Sequence, residues 1–281
     1  MIADMVEALS CPACGRDLEL GDGRLTCRSG HSFDIARAGY VNLMASTARG
    51  RHEGDDANMV AARERFLDAE HFAPLAQSLA ERAPPGAARV LDAGAGTGYY
   101  LREVLDSHEG ASGIALDASK SAAQRAARSH PRVGAVVGDI WRGLPIRDAS
   151  VDVVLNVFAP RNGAEFRRVL QPGGVLLVVT PAAHHLSELT VPPGLLKVDE
   201  RKGERVRAEL SPHFTCVAEE PLEFEMHLGR PDAQALIAMG PSARHLEDGD
   251  LEARLAGLSW PLAVSAAVNV WTFRPGRSGE G

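Results

Sequence analysis

From Arg89 onward the chain alternates short β-branched runs with segments of helical periodicity. Arg89–Ala93, Ser112–Leu116, Ala135–Gly138, Val151–Val157 and Val175–Thr180 have the length and composition of strands, and stretches such as Tyr99–Leu105 and Ser119–Ser129 between them suit helices. Strands alternating with helices predict an α/β fold, a parallel sheet covered on both faces. A last run, Val264–Phe273, is expected as an antiparallel closing strand, with Arg274–Gly281 frayed behind it. Upstream, Asn58–Arg82 repeats Met59, Ala62, Phe66, Ala69, Leu75 and Leu79 on one side of a helix that Pro74 divides in two, and Pro84-Pro85-Gly86 ends it. Ala45–Asp56 turns polar and reads as a linker. The first forty residues or so hold three of the four cysteines and little helical periodicity, which predicts a small β-rich module. The expected division is therefore a module over 1–44, a linker over 45–57, the main domain over 58–275 and a disordered tail over 276–281.

A length of 281 residues fits one main domain with a smaller appendage, and 45% hydrophobic with 24% charged residues is ordinary for a chain that buries a core. No apolar run approaches the roughly 20 residues of a membrane span. Met1-Ile2-Ala3-Asp4-Met5-Val6-Glu7 lacks the basic head of a signal peptide, so a cytoplasmic location with no membrane partner is expected. The formal charge of -7 argues against a protein that coats nucleic acid, since phosphate neutralisation needs surplus Lys and Arg. Any such contact must be local. Arg24, Arg28, Arg37, Arg49 and Arg51, with Asp34 as the carboxylate among them, give the appendage that local positive field, although a solvated basic face would look the same.

Cys11-x2-Cys14 and Cys27-x3-His31 have the spacing of a zinc site. Cys11-Pro12-Ala13-Cys14 places both thiolates on one tight turn, and Cys27 with His31 can complete a tetrahedron around zinc. The twelve residues between the pairs suffice for a hairpin turning at Gly21-Asp22-Gly23. Four protein ligands leave no position for water, so Zn²⁺ would be structural, and a forty-residue segment needs such a clip to fold. Disulfides or free thiols are the other readings, and a reducing compartment disfavours the first. Cys216, distant and unpaired by spacing, reads as a small core residue.

The stretch Leu91-Asp92-Ala93-Gly94-Ala95-Gly96-Thr97-Gly98 puts glycines where backbone can pass close to a ligand at the end of a strand. The spacing is G-x-G-x-G, with an acid two residues before the first glycine. It resembles S-adenosylmethionine enzymes more than the G-x-G-x-x-G loop that faces a pyrophosphate, although a nicotinamide cofactor is the competing reading. Asp92 would hold the donor's ammonium or an ordered water near it. Asp117, 25 residues further on, suits the ribose hydroxyls, and Asp139 at the next strand end suits the adenine amino group. Asn156 closes the fourth strand, at the edge where transfer would occur.

Taken together these motifs resemble the zinc-containing guanine-N1 methyltransferases of large-subunit (23S) ribosomal RNA, over nearly the whole chain. The resemblance is carried by the Cys11, Cys14, Cys27, His31 set, Phe33–Leu43, Met59–Arg63, Phe66–Ala69 and Leu91–Gly94, with Gly39–Leu43 the most specific stretch. Asn156–Arg161 and Met239-Gly240-Pro241-Ser242 look like the branch that modifies the 748-type site and is associated with tylosin-type macrolide resistance. The resemblance implies a class I, Rossmann-like fold with a seven-stranded sheet, a homodimer that lines a shared cleft for an rRNA hairpin, and a donor pocket including Phe72, Tyr100, Leu101 and His185. Relatives favour Tyr where this chain has Phe72, which removes one hydroxyl contact; by the residues alone Phe72 reads as core and His185 as surface. Guanine N1 must lose a proton as it attacks, and its base must leave the stack. Phe158 and Trp141 are placed to stack on it, though each also suits a core. Arg161 is placed to steady O6, and no general base is legible. A small-molecule (macrolide or quinone) methyltransferase and a non-enzymatic rRNA-binding factor with an idle donor pocket are the competing functions.

Overall fold

The structure is a computed structural model that describes residues 2–44, 54–189, 202–240, 251 and 255–276. Arg49, Arg51, Pro241, Ser242, most of the expected linker and all of the expected tail except Gly276 lie outside the described residues.

A short 3-10 turn (Ile2–Ala8) leads into strands β1 (Leu18–Gly21), β2 (Arg24–Cys27) and β3 (Ser32–Asp34), an antiparallel sheet in the order β1-β2-β3. The β1–β2 turn is two residues long, Asp22 and Gly23, with φ of 47° and 72°. Two left-handed residues give the turn a twist matching the flanking strands, which is why Asp-Gly stands there.

The second sheet has eight strands in the order β10-β11-β9-β8-β5-β6-β7-β4. They are β4 (Tyr40–Asn42), β5 (Arg89–Ala93), β6 (Ser112–Asp117), β7 (Val133–Val137), β8 (Val151–Val157), β9 (Leu170–Pro181), β10 (Phe214–Leu228) and β11 (Leu262–Pro275). The helices are α1 (Ala57–Asp68), α2 (Ala73–Arg82), α3 (Tyr99–Ser107), α4 (Lys120–Ser129), α5 (Gly163–Val169), α6 (Lys202–Leu210) and α7 (Arg230–Ala238). The strands from β4 to β9 run parallel, and β11 and β10 close the sheet antiparallel. Asp56 caps α1, its carboxylate accepting from the N–H groups of Asn58 and Met59 at 2.8 and 2.9 Å. Pro74 does not break one helix internally. It stands in the first turn of α2, where its missing N–H has no helical partner to lose.

The unbroken apolar runs follow from burial on both faces. Along β9, Val175, Leu177 and Val179 join one core, packed by α1 to α4 and α7, while Leu176 and Val178 join the other. That second core also takes in Met5, Leu9, Leu18 and Leu25, so the small sheet and the large one share apolar interior. Gly134 makes room for this: a Cβ there would lie 2.7 Å from the Met5 side chain.

The sheet has eight strands where seven are expected, and it extends beyond the six runs read along the chain at both edges. Tyr40–Asn42 pairs in parallel with Ala135–Val137, which adds a strand from the end of the small module. Phe214–Leu228, the longest strand, has no counterpart among the expected elements. Its exposed positions carry Glu219, Glu220, Glu223 and Glu225, and it runs through Pro221, which lies opposite Asn269, as an edge strand tolerates. Among the described residues no helix is long and apolar enough to cross a membrane.

Candidate functional site

The metal candidates converge. Cys11, Cys14, Cys27 and His31 offer ligand atoms that all lie within 4.8 Å of one another. Cys14 Sγ is 3.7 Å from Cys27 Sγ, and His31 Nδ1 is 3.4 Å from Cys27 Sγ and 3.5 Å from Cys11 Sγ. A tetrahedron with bonds of about 2.3 Å has edges of about 3.8 Å, so this spacing fits Zn²⁺. Each ligand pair sits on a tight turn: the Gly15 N–H donates to the Cys11 carbonyl at 2.8 Å and the Gly30 N–H to the Cys27 carbonyl at 2.9 Å. Gly15 and Gly30 have φ of 69° and 84°, which glycine adopts without strain. A backbone N–H from Arg16 draws the Cys14 thiol down to about 6, toward the thiolate a metal requires, while burial pushes Cys11 up to about 11. Beside the cluster Arg24 faces Asp34 at 3.9 Å and Arg28 faces Glu19 at 3.7 Å, so acidic neighbours temper the expected positive field. Cys216 takes no part; its thiol donates to the Ala218 carbonyl at 3.5 Å.

At the carboxyl ends of β5 to β8 a cavity of about 330 Å³ opens, lined by Gly94, Gly96, Asp117, Asp139 and Val157–Pro160 among others. Such crevices at strand ends are where open α/β sheets bind ligands. The loop after β5 is built close: Gly94 has φ 90°, and its N–H donates to the Leu116 carbonyl at 2.8 Å. A Cβ on Gly94 would overlap the Ala159 methyl carbon. Gly94→Ala is therefore expected to lose donor binding and to lower the melting temperature, because the added carbon needs both a left-handed backbone and displacement of the cavity wall. Calorimetry with the demethylated donor and a thermal melt check both effects.

Of the three strand-end acids Asp117 and Asp139 line the cavity, whereas Asp92 is buried beneath it and lines neither cavity. Asp92 is 1% exposed, and neither of its carboxylate oxygens has a hydrogen-bond partner. Burial, reinforced by the charge of Asp117, pushes it up to about 8. An orphaned buried acid beneath a glycine loop fits a cationic ligand group. Burial also raises Asp117, although its two oxygens accept from the Gly96 N–H (2.9 Å) and the Ser119 N–H (2.8 Å). A carboxylate has about four acceptor positions, so capacity for ribose hydroxyls remains. Asp139 accepts from the Trp141 N–H at 2.9 Å and lies 3.6 Å from the Arg142 guanidinium.

The residues implied by resemblance divide. Phe72 and Tyr100 line a small adjoining cavity that shares Arg63, Gly94, Gly96, Val157 and Phe158 with the larger one. Burial holds the Tyr100 phenol well above its ordinary range. Leu101 is fully buried and packs where a Cβ on Gly113 of β6 would sit. His185 stands behind the wall. Its Nδ1 accepts from the Ala267 N–H at 3.2 Å, and its ring lies 5.8 Å from Phe158 and 6.4 Å from Phe72. Asn156 also stands behind: its amide donates to the carbonyls of Ala93 (3.1 Å) and Pro160 (2.8 Å), tying β5 to the turn after β8. Arg161 binds Glu209 of α6 at 2.6 Å. Neither Asn156 nor Arg161 lines the cavity.

Phe158 and Trp141 are not core. They are 38% and 53% exposed, both line the cavity, and Phe158 adopts φ 53°, which a bulky residue avoids unless its surroundings hold it there. Arg63 and Asp55, which sequence reading did not single out for the site, also line it. The only signal for Arg63 was its place in the Met59–Arg63 stretch.

The fold and this site define a class I S-adenosylmethionine-dependent methyltransferase with an N-terminal zinc ribbon. Family comparison agrees, matching "RlmA, N-terminal", a zinc ribbon, to residues 9–49 and "Methyltransferase domain" to residues 90–174. The chain is 49% identical to a Micromonospora griseorubida protein assigned as a 23S rRNA (guanine-N(1)-)-methyltransferase, over 98% of this chain and 100% of that one. It is 43% identical to the 23S rRNA (guanine(748)-N(1))-methyltransferase of Streptomyces fradiae, over 98% and 99% respectively. Among solved structures, the complex of the Haloferax volcanii Trm112 methyltransferase activator with a methyltransferase contains a similar fold, with TM-score 0.51 and 17% identity over 80% of this chain and 98% of that chain. The chain belongs to the family of 23S rRNA guanine-N1 methyltransferases.

Proposed function

We propose that this protein transfers a methyl group from S-adenosylmethionine to N1 of a guanine in a hairpin of 23S rRNA, at the 748-type site. The observation that carries this reading is the donor-type cavity with two exposed aromatic rings on its wall, in a chain whose zinc ribbon shares its core with the catalytic sheet. The donor, when bound, supplies an electrophilic methyl on a sulfonium. Asp117 and Asp139 hold its ribose and adenine ends, and Gly94 and Gly96 admit it close to the backbone. Phe158 and Trp141 stack on the extruded guanine, which turns its N1 toward the methyl; stacking on an aromatic ring is worth roughly 1–3 kcal/mol per base. Asn156 and Arg161 act from behind, fixing the Phe158–Pro160 turn to β5 and α6. In this reading Asp117 and Asp139 are committed to the donor and Asp55 to Arg63, which leaves water to take the N1 proton.

In this reading residues 1–44 are the RNA-recognition module and residues 58–275 the transfer domain. The protein works in the cytoplasm as a homodimer whose modules line one cleft, as the family resemblance implies. Modification there lowers sensitivity to tylosin-type macrolides. Sedimentation of a monomer at micromolar concentration in the presence of RNA would exclude the dimer.

The test is primer extension on 23S rRNA incubated with protein and donor, since a methyl on N1 blocks base pairing. A stop at guanine 748 is expected, and Phe158→Leu should slow its appearance at saturating donor by about 10-fold or more. Absence of any stop would sink the proposal in favour of a small-molecule substrate, and a stop that appears equally without the zinc ribbon would overturn the assignment of the ribbon as the RNA-recognition module.

A further inference from the structure

Arg63 is the sole cationic residue among the described residues lining either the large cavity or the small one beside it. It projects from α1, and its stem lies over the glycine loop: a Cβ on Gly96 would sit 3.3 Å from Arg63 Cδ. One terminal nitrogen is committed, donating to Asp55 at 2.5 Å and to the Met239 carbonyl at 3.1 Å. The Nε–H is buried and has no partner. A guanidinium carries five donors, and two of them serve these contacts. A buried donor left unsatisfied costs about 1–3 kcal/mol, so native proteins rarely keep one without a use.

The charges around the loop have a definite pattern. Asp117 and Asp139 supply carboxylates on the sheet side, with the buried carboxyl group of Asp92 beneath the loop, and Arg63 supplies the positive group on the helix side. The donor of the proposed reaction carries two cationic groups, the sulfonium and the ammonium, and one anion, its α-carboxylate. The three acids suit the cationic and hydroxyl-bearing parts. The carboxylate has one complementary partner on the cavity wall.

We infer that Arg63 is the donor-positioning residue that binds the α-carboxylate of S-adenosylmethionine through its unpaired Nε–H and remaining guanidinium donors, with Asp55 holding the guanidinium in place. This inference rests on the proposed donor site and assigns a specific contact within it. Arg63 thereby sets the depth at which the donor's amino-acid end seats on the glycine loop, and through that the position of the methyl group. Gly96 is required at its position for the same reason, since a side chain would push the guanidinium stem off the loop.

The test is calorimetric binding to the zinc-loaded full chain, comparing S-adenosylmethionine with its decarboxylated analogue, which keeps the sulfonium, ammonium, ribose and adenine. The parent protein is expected to prefer the complete donor by about 100-fold, as loss of one partner of a buried charge-assisted pair implies. Arg63→Gln should bind the analogue within about threefold of the parent and lose the preference; Arg63→Lys should recover part of it. Equal weakening of both ligands in Arg63→Gln would make Arg63 a structural residue and overturn the inference. So would a parent protein that binds the two ligands equally, an outcome that needs no variant to fold. If the parent binds neither ligand, the donor site itself fails, which the comparison separates from a misassigned carboxylate contact.

Discussion

Asp92→Asn is expected to make the protein more stable at neutral pH while weakening donor binding severely. In the folded chain this carboxyl group titrates near 8, against 3.8 for the ordinary side chain, because it is buried and faces the charge of Asp117. Between those two values the unfolded chain releases its proton and the folded chain keeps it. Stability therefore falls as pH rises through that window, by about 1.4 kcal/mol per unit for a fully titrating group, and levels off above about 8. The amide has no such titration. The gap in melting temperature between variant and parent should open from near pH 4, widen to about pH 8 and then stay constant. At pH 7 a rise of roughly 5 °C or more is expected, given about 2–4 °C per kcal/mol for a domain of this size.

Donor binding should respond in the opposite sense. The parent's affinity should strengthen as pH approaches about 8, because a cationic ligand favours the carboxylate. The variant should bind roughly 100-fold or more weakly, since a buried charge pair loses one partner. Thermal melts across pH 4–9 and calorimetry with the demethylated donor measure both effects. A pH-independent melting gap, or normal affinity in the variant, would mean that Asp92 is an inert buried acid.

Removal of zinc is the second large effect. The ribbon strands are three or four residues long and bury little beyond Leu18 and Leu25, so the metal supplies what their core cannot. Cys14→Ser, or chelation of the parent, is expected to unfold Cys11–Asp34. Because Leu18 and Leu25 share a core with Met5, Leu91 and Ile114, the loss should also lower the melting temperature of the whole chain, by about 5 °C or more. Calorimetry should show donor affinity within about threefold of the parent, as the cavity residues lie elsewhere. Methylation of 23S rRNA should fall about 100-fold. Retained RNA activity without zinc would make the ribbon a passive stabiliser, and loss of donor binding would show that the two parts are more tightly coupled than their shared core requires.

Much of this site was legible because its chemistry depends on spacing. Cys11, Cys14, Cys27 and His31 lie in two local pairs, and local pairs fix turns that sequence displays. Asp92, Asp117 and Asp139 each end an apolar run, and parallel strands in register bring such ends together. Arg63 was not legible as a site residue. An arginine on an amphipathic helix reads as solvent-facing, and its burial depends on Gly96, Asp55 and Met239, the last of them 176 positions away. Phe158 was ambiguous for a related reason. An aromatic after a buried strand suits a core, and its outward turn depends on φ 53° and on the bracing of Pro160 by Asn156.

The edge strand β10 marks the same boundary within the fold. Its glutamates and Pro221 disguise a fifteen-residue strand whose partner, β11, is remote in sequence. β4 was hidden by brevity, three residues that form a strand by adding to β7. What the sequence determined alone was whatever short-range periodicity and ligand spacing encode: the alternating α/β core, the metal set, the glycine loop and its three acids. The tertiary structure decided which side chains turn inward at the cavity, how the ribbon's interior merges with the sheet's, and where the sheet stops. Those outcomes depend on contacts between residues far apart in the chain, and no local pattern records them.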